Sequence, residues 1–236
     1  MFDLTDARVL VVGGTSGIGL GTAQMAAELG ATVTVASRSS EKVRAATQVI
    51  ANGASGEVLD TGNEAAIEAF FGEKAPFDHV IVSASQTKVA AVKELALADA
   101  YQSMNSKFWG AYRIARAARI NAHGSLTLVS GYLSIRPRKG SAIQGAINAA
   151  VEGLTRGLAL ELAPVRVNCV SPGLVDTPLL DRFGERKASM LEKARKTIPA
   201  GIVGAPEHIA RQIIAFMTNP FMTGSTVYLD GGGSIA

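Results

Sequence analysis

Four glycines crowd the seven residues Gly13-Gly14-Thr15-Ser16-Gly17-Ile18-Gly19, directly after the apolar run Arg8–Val12 and directly before a helical pattern. Residues without a Cβ let a chain turn tightly and approach a bulky anion closely. The helix start that follows offers unpaired N–H groups and the positive end of its dipole. Such a turn can hold a pyrophosphate. Strand, turn, helix and second strand follow in order within roughly 30 residues, the context that the dinucleotide-binding motif requires. Gly13, Thr15, Ser16, Gly17, Ile18 and Gly19 are the residues expected to carry it.

The residue that ends the second strand separates the two nicotinamide dinucleotides. An Asp or Glu there accepts hydrogen bonds from ribose hydroxyls and repels a 2′-phosphate. This chain has Ser37 followed by Arg38. A hydroxyl and a guanidinium bind that phosphate, the latter through a charge-assisted pair. The expected cofactor is NADP(H), in preference to NAD(H).

Elements must position these groups. Short β-branched runs alternate with longer helical periods, which predicts an α/β chain of βαβ units around a parallel sheet. The expected strands are Arg8–Val12, Thr32–Ala36, Gly56–Leu59, His79–Ser83, Ser125–Ser130, Val165–Val170 and Ser225–Leu229. The expected helices are Gly17–Leu29, Ser40–Asn52, Glu64–Phe71, Asp99–Ala122, Ser141–Ala163 and Pro206–Met217. Several strands are apolar on consecutive residues, as helices on both faces demand. The fold class is a single-domain Rossmann fold, doubly wound, with about seven strands. Asp176–Ala205, rich in Arg, Lys, Gly and Pro, is the least regular segment. It is either a substrate lid or a surface excursion.

Composition narrows the partners. Of 236 residues, 47% are hydrophobic and 18% charged, with a net charge of +3. Aromatics are only 6%, too few to interleave with a basic stripe, so no nucleic-acid partner is expected. Arg113, Arg116 and Arg119 are assigned to one helix, Arg136, Arg138 and Lys139 to one loop, all as solvated surface. No run approaches the ~18 apolar residues of a membrane span. The first residues lack a basic region followed by an apolar run, so cytoplasmic residence is expected. The one cysteine, Cys169, lies in an apolar run and reads as a small buried side chain. His79, His123 and His208 are isolated and read as surface or strand-edge residues, with no metal site.

Taken over the whole chain, these motifs resemble the short-chain dehydrogenase/reductase family. Besides the glycine turn, Leu59-Asp60 is similar to its aspartate after the third strand. Ala149–Arg156 and Val167–Gly173 are similar to its long helix and the strand and turn that follow. Thr223-Gly224 and Asp230-Gly231-Gly232 match its C-terminal signature. The resemblance implies that Asp60, Ala84 and Thr177 line the cofactor together with Pro172 and Gly173. It also implies a homodimer or homotetramer joined through the Asp99–Ala122 and Ser141–Ala163 helices.

The family's chemistry rests on an Asn, a Ser, a Tyr and a Lys four residues after the Tyr. Tyr gives a proton to the carbonyl oxygen as hydride arrives. Lys lowers the Tyr pKa and holds the nicotinamide ribose, Ser polarises the carbonyl, and Asn supports a water relay. Carried over by position, the Asn is Asn105. The Tyr position holds Gln144, the Lys position Asn148, and the Ser position Gly131 with Ser130 just before it. Gln144 has no acidic proton and Asn148 no charge. The usual Asn-Asn-Ala-Gly after the fourth strand is Val82-Ser83-Ala84-Ser85.

Tyr132 either points its hydroxyl into the pocket or packs, and its seven-residue spacing from Lys139 is read as coincidence. Trp109 and Tyr112, three apart, read as packing. Ser130, Ser134, Ser85 and Gln86 are candidate pocket polars. Two readings follow. One is an NADP(H)-dependent oxidoreductase for a small carbonyl or alcohol, with Asn105, Ser130, Tyr132, Gln144 and Asn148 as its altered centre. The other is an NADP(H)-binding sensor, partner subunit or non-redox enzyme on the same scaffold.

Overall fold

Val9 and Val11 of the first strand point into one apolar layer, Leu10 and Val12 into the other, and all four are buried. That alternation of a wholly apolar strand is what a sheet covered on both faces requires. The structure is a computed structural model describing residues 2–236. Its strands are β1 Arg8–Val12, β2 Thr32–Ser37, β3 Ser55–Val58, β4 Phe77–Val82, β5 Ile120–Val129, β6 Arg166–Pro172 and β7 Thr226–Leu229. They form one sheet in the order β3-β2-β1-β4-β5-β6-β7, parallel at every pairing.

The helices are α1 Gly17–Glu28, α2 Ser40–Val49, α3 Glu64–Glu73, α4 Leu97–Met104, α5 Gly110–Ala117, α6 Ala142–Glu161, α7 Arg186–Thr197 and α8 Pro206–Thr218. Ala23 and Ala27 of α1 with Ile209 and Ile213 of α8 cover one face. Phe71 of α3, Ile114 of α5 and Val151 of α6 cover the other. The doubly wound fold is therefore as expected. Its strand order reverses between β1 and β4, and the crevice beyond their carboxyl ends is where such sheets bind ligands.

Three expectations need correction. The Asp99–Ala122 helix is α4, a π turn over Asn105–Trp109, and α5. It stops at Ala117 because Ile120 already pairs with Phe77 in the sheet. Arg119 thus lies beyond the helix, where its guanidinium donates to the Lys74 carbonyl at 3.1 Å. The irregular segment 176–205 contains a 3-10 turn, Pro178–Phe183, and the whole of α7. Leu191 is the only buried residue of α7, so no apolar stripe announced it. The excursion is closed at its base, where Asp176 N–H donates to Gly204 O at 2.8 Å and Gly204 N–H to Leu174 O at 3.0 Å. Finally, His79 is interior to β4, its Nδ1 2.9 Å from Ser125 Oγ.

Candidate active site

The glycine turn sits where the geometry needs it. Gly13 follows β1 with φ +86°, and a Cβ there would lie 2.5 Å from the Ala84 nitrogen. Only glycine lets the β1 and β4 ends come this close. Gly17 opens α1 with φ +53°, and a Cβ on it would press on the Thr177 side chain at 3.2 Å. Ser16, the N-cap of α1, makes no side-chain cap bond, so its hydroxyl is left for a ligand.

A cavity of about 590 Å³ runs across this crevice. At one end it is lined by Ser37, Arg38 and Lys42, at its middle by the Gly13–Ile18 turn, and at the other end by Lys107, Gln144 and Asn148. Arg38 is exposed and already oriented, donating to Gln86 Oε1 at 2.9 Å. Lys42, which the sequence reading passed over, adds a second cation there. Two cations beside the end of β2, the N-terminus of α1 and no carboxylate among the lining residues fit an NADP(H) dinucleotide. Bound here, it would supply hydride.

The expected site residues divide. Thr15, Ser16, Gly17, Ile18, Ala84, Pro172, Gly173 and Thr177 all line the cavity. Gly19 does not. It packs under the turn, where a Cβ would meet Gly13 O at 2.2 Å. Asp60 is exposed and accepts from Gly62 N–H at 2.9 Å, while Thr61 beside it lines the cavity. Asn105 also turns away. Its Oδ1 accepts from Arg113 at 2.7 Å, so it does not face a substrate.

Lys107, given no role by the sequence reading, brings a buried amine against Asn148. In the π turn Gly110 N–H bonds back five residues to the Asn105 carbonyl. This wider turn faces Lys107 inward, where the residue is only 7% exposed. Its Nζ donates to Ser130 O and to Asn148 Oδ1, both at 2.7 Å. Asn148 Nδ2 in turn donates to Gly131 O at 2.9 Å. A lysine ammonium offers only donors, so these partners fix the orientation of the Asn148 amide. Burial pulls the Lys107 pKa from 10.5 down to about 8, with Cys169 and Glu152 acting the other way. Burial pushes the Cys169 thiol up.

Glu152 on α6 is the second residue the sequence reading missed. It is 6% exposed and accepts four hydroxyls. Ser130 at 2.8 Å, Ser134 at 2.7 Å and Ser171 at 3.1 Å donate to Oε1, and Tyr228 at 2.8 Å donates to Oε2. The Ser130 hydroxyl is thereby committed to Glu152 and does not polarise a substrate carbonyl. Ser134 is committed likewise.

Tyr132 is buried at the cavity wall. Its hydroxyl accepts from the Arg138 guanidinium, which also lies over the ring, 5.2 Å from the centroid. Arg138 is therefore a pocket-rim group rather than plain surface. Burial raises the Tyr132 phenol pKa. Gln144 carries a buried Oε1 with no hydrogen-bond partner, an acceptor left for a ligand's donor.

A family model described as Enoyl-(Acyl carrier protein) reductase matches residues 12–234. The chain belongs to the short-chain dehydrogenase/reductase family. It is 32% identical, over 96% of both chains, to the BbsD subunit of (2S)-[(R)-hydroxy(phenyl)methyl]succinyl-CoA dehydrogenase from Thauera aromatica. Among solved structures, a small-chain dehydrogenase in complex with NADPH is 29% identical, with TM-score 0.84 over 98% of this chain and 100% of that one. An NADPH-bound short-chain oxidoreductase from Pseudomonas aeruginosa PAO1, described as containing an atypical catalytic center, is 27% identical with TM-score 0.91 over 98% of both chains. The reading of Gln144 and Asn148 as departures from the usual Tyr and Lys rests on this chain's own residues.

Proposed function

We propose that this chain is an NADP(H)-dependent oxidoreductase that interconverts a small carbonyl and its alcohol at a centre built without the family's usual Tyr and Lys. One observation carries the reading: a single cavity joins the glycine turn, Arg38 and Lys42 to a buried amine and an unpaired acceptor, Lys107 and Gln144. Its two ends have the chemistry of the two reactants. The 2′-phosphate end is cationic, and the reacting end is enclosed and polar. NADPH in two similar solved structures supports the cofactor choice. The segment 176–205 serves as the substrate wall, with Leu179, Phe183 and Met190 facing the cavity.

The deciding experiment is loss of NADPH absorbance with a panel of ketones, aldehydes and enones, beside NADPH binding measured by fluorescence. Turnover of at least one carbonyl is the expected result. Tight binding with no turnover across the panel would replace this reading with the second one, an NADP(H)-binding sensor or partner subunit. That alternative is favoured by the uncharged, non-acidic side chains of Gln144 and Asn148. The exposed aromatics Tyr101 on α4, Trp109 at the end of the π turn and Tyr112 on α5 support a homo-oligomer formed through this helical stretch. Light scattering of the purified protein tests it. A monomer at micromolar concentration would count against it.

A further inference from the structure

We propose that Lys107 is the proton donor of this site: its ammonium, carried on the π turn between α4 and α5, meets the reacting oxygen and does the work of the missing Tyr and Lys together. The inference rests on the reductase reading above and assigns its acid.

The geometry points there first. An ammonium has three N–H donors. Two of Lys107's are used, on Ser130 O and Asn148 Oδ1, and no third protein partner is found among the described residues. The side chain lines the cavity beside Gln144, whose Oε1 also lacks a partner. A free donor and a free acceptor in one pocket suit a carbonyl becoming a hydroxyl. The oxygen takes a proton from Lys107, and the new O–H is offered to Gln144.

The other candidate acids are engaged elsewhere or raised by burial. Ser130 and Ser134 donate to Glu152. The Tyr132 hydroxyl accepts from Arg138 and keeps its own proton, but burial raises its phenol pKa against the opposing Arg138 charge, which makes it the weaker acid. Cys169 is fully buried with its thiol pushed up. Lys107, by contrast, is pulled down to about 8, near the pH at which a general acid works best. The titratable groups that act on it are Glu152 from α6 and Cys169 from β6. Tyr132 and Arg138, from the loop after β5, share the cavity.

The step balances. A hydride from the nicotinamide reaches the carbonyl carbon while the C=O π pair takes a proton from Nζ. The ketone is reduced to an alcohol and the dinucleotide oxidised. Lys107 is left as a neutral amine that regains its proton from water. In the reverse direction the same amine accepts the alcohol proton.

Two readouts test this. The first is binding alone. The oxidised nicotinamide ring is positive and the reduced ring neutral, so a nearby ammonium disfavours NADP+. The ratio Kd(NADP+)/Kd(NADPH) should fall at least about threefold as pH rises from 7 to 9, with a midpoint near 8 in the wild type. Lys107→Met should abolish that slope. The second is turnover. Lys107→Met should lower kcat for reduction by about 10²-fold or more, with the NADPH Kd changed less than about threefold. Lys107→Arg keeps the charge but cannot release a proton at pH 8, so it should keep the preference for NADPH and lose kcat. An active enzyme whose ratio does not titrate, or whose Lys107→Met variant keeps kcat, overturns Lys107 and leaves the reductase reading intact. A wild type whose ratio titrates but which reduces nothing overturns the reductase reading and the donor role with it. If Lys107→Met does not fold, the Lys107→Arg pair of readouts decides.

Discussion

The Lys107 amine lies 2.7 Å from Asn148 Oδ1 although the two residues are 41 positions apart in the chain. On the position-by-position reading that puts Asn148 at the family's lysine position, a positive charge still meets this point of α6, from the opposite wall. The amide at 148 is then a requirement of the arrangement, because a second ammonium 2.7 Å from the first would be repelled. Whatever replaces one of these residues must be read together with the other.

Asn148→Lys alone should therefore be harmful. It would place two buried ammonium groups in contact and remove the acceptor that holds Lys107. We expect a stability loss of about 2–4 kcal/mol by urea denaturation, with Lys107→Met recovering much of it when combined. The coupling in the double-mutant cycle should be about 1–3 kcal/mol. Simple additivity would show that the two side chains do not share one charge site.

Glu152→Gln should act at a distance on the same amine. The carboxylate accepts hydroxyls from three serines and Tyr228, and an amide can accept at only one of its two heads. Loss of those bonds should cost about 1–3 kcal/mol of stability. Because the Glu152 charge holds the Lys107 pKa up, the variant should move the titration of the NADP+/NADPH affinity ratio to lower pH than 8. A midpoint that stays in place would separate Glu152 from Lys107 electrostatically.

Arg38→Ala should weaken NADPH by about 10- to 100-fold and NADH by less than about threefold, as loss of one charge-assisted phosphate contact implies. Lys42→Ala should act in the same direction, because that cation lines the same end of the cavity. Isothermal titration with both dinucleotides gives the two ratios directly. Equal weakening of NADPH and NADH by Arg38→Ala would remove the 2′-phosphate assignment.

The cofactor half of the site was legible because its signals are local. Gly13 and Gly17 answer to backbone geometry, and Ser37–Arg38 follow a strand whose end is visible in the sequence. Lys107 was harder. The periodicity does contain it, since Ser103, Lys107, Ala111 and Ile114 fall on the buried side of one helical stretch, and a lysine on that stripe is out of place. Reading basic residues as surface hid it. Glu152 lies within the family-like stretch Ala149–Arg156, and nothing along that stretch sets it apart. Its four hydroxyl partners come from the loop after β5, from β6 and from β7, and no spacing along the chain reveals that. The same limit explains α7. Its polar sequence carries one buried residue, Leu191, so only its packing over the cavity defines it.

His79 offers a last test, away from the site. It sits inside β4 beside Ser125, and burial lowers its pKa from 6.5 to about 4, Asp78 opposing and Arg166 assisting the shift. Below pH 6.5 the unfolded chain takes up a proton that the folded protein refuses until about pH 4. Stability linked to this group is therefore intact above pH 6.5 and falls as pH drops through that window, by up to about 3 kcal/mol. His79→Asn keeps a polar group for Ser125 and cannot titrate. Its stability should vary less between pH 6.5 and 4.5 than that of the wild type, measured by thermal unfolding in matched ionic strength. Parallel curves for the two proteins would mean that the histidine is protonated in the fold or that other carboxylates and histidines dominate acid unfolding.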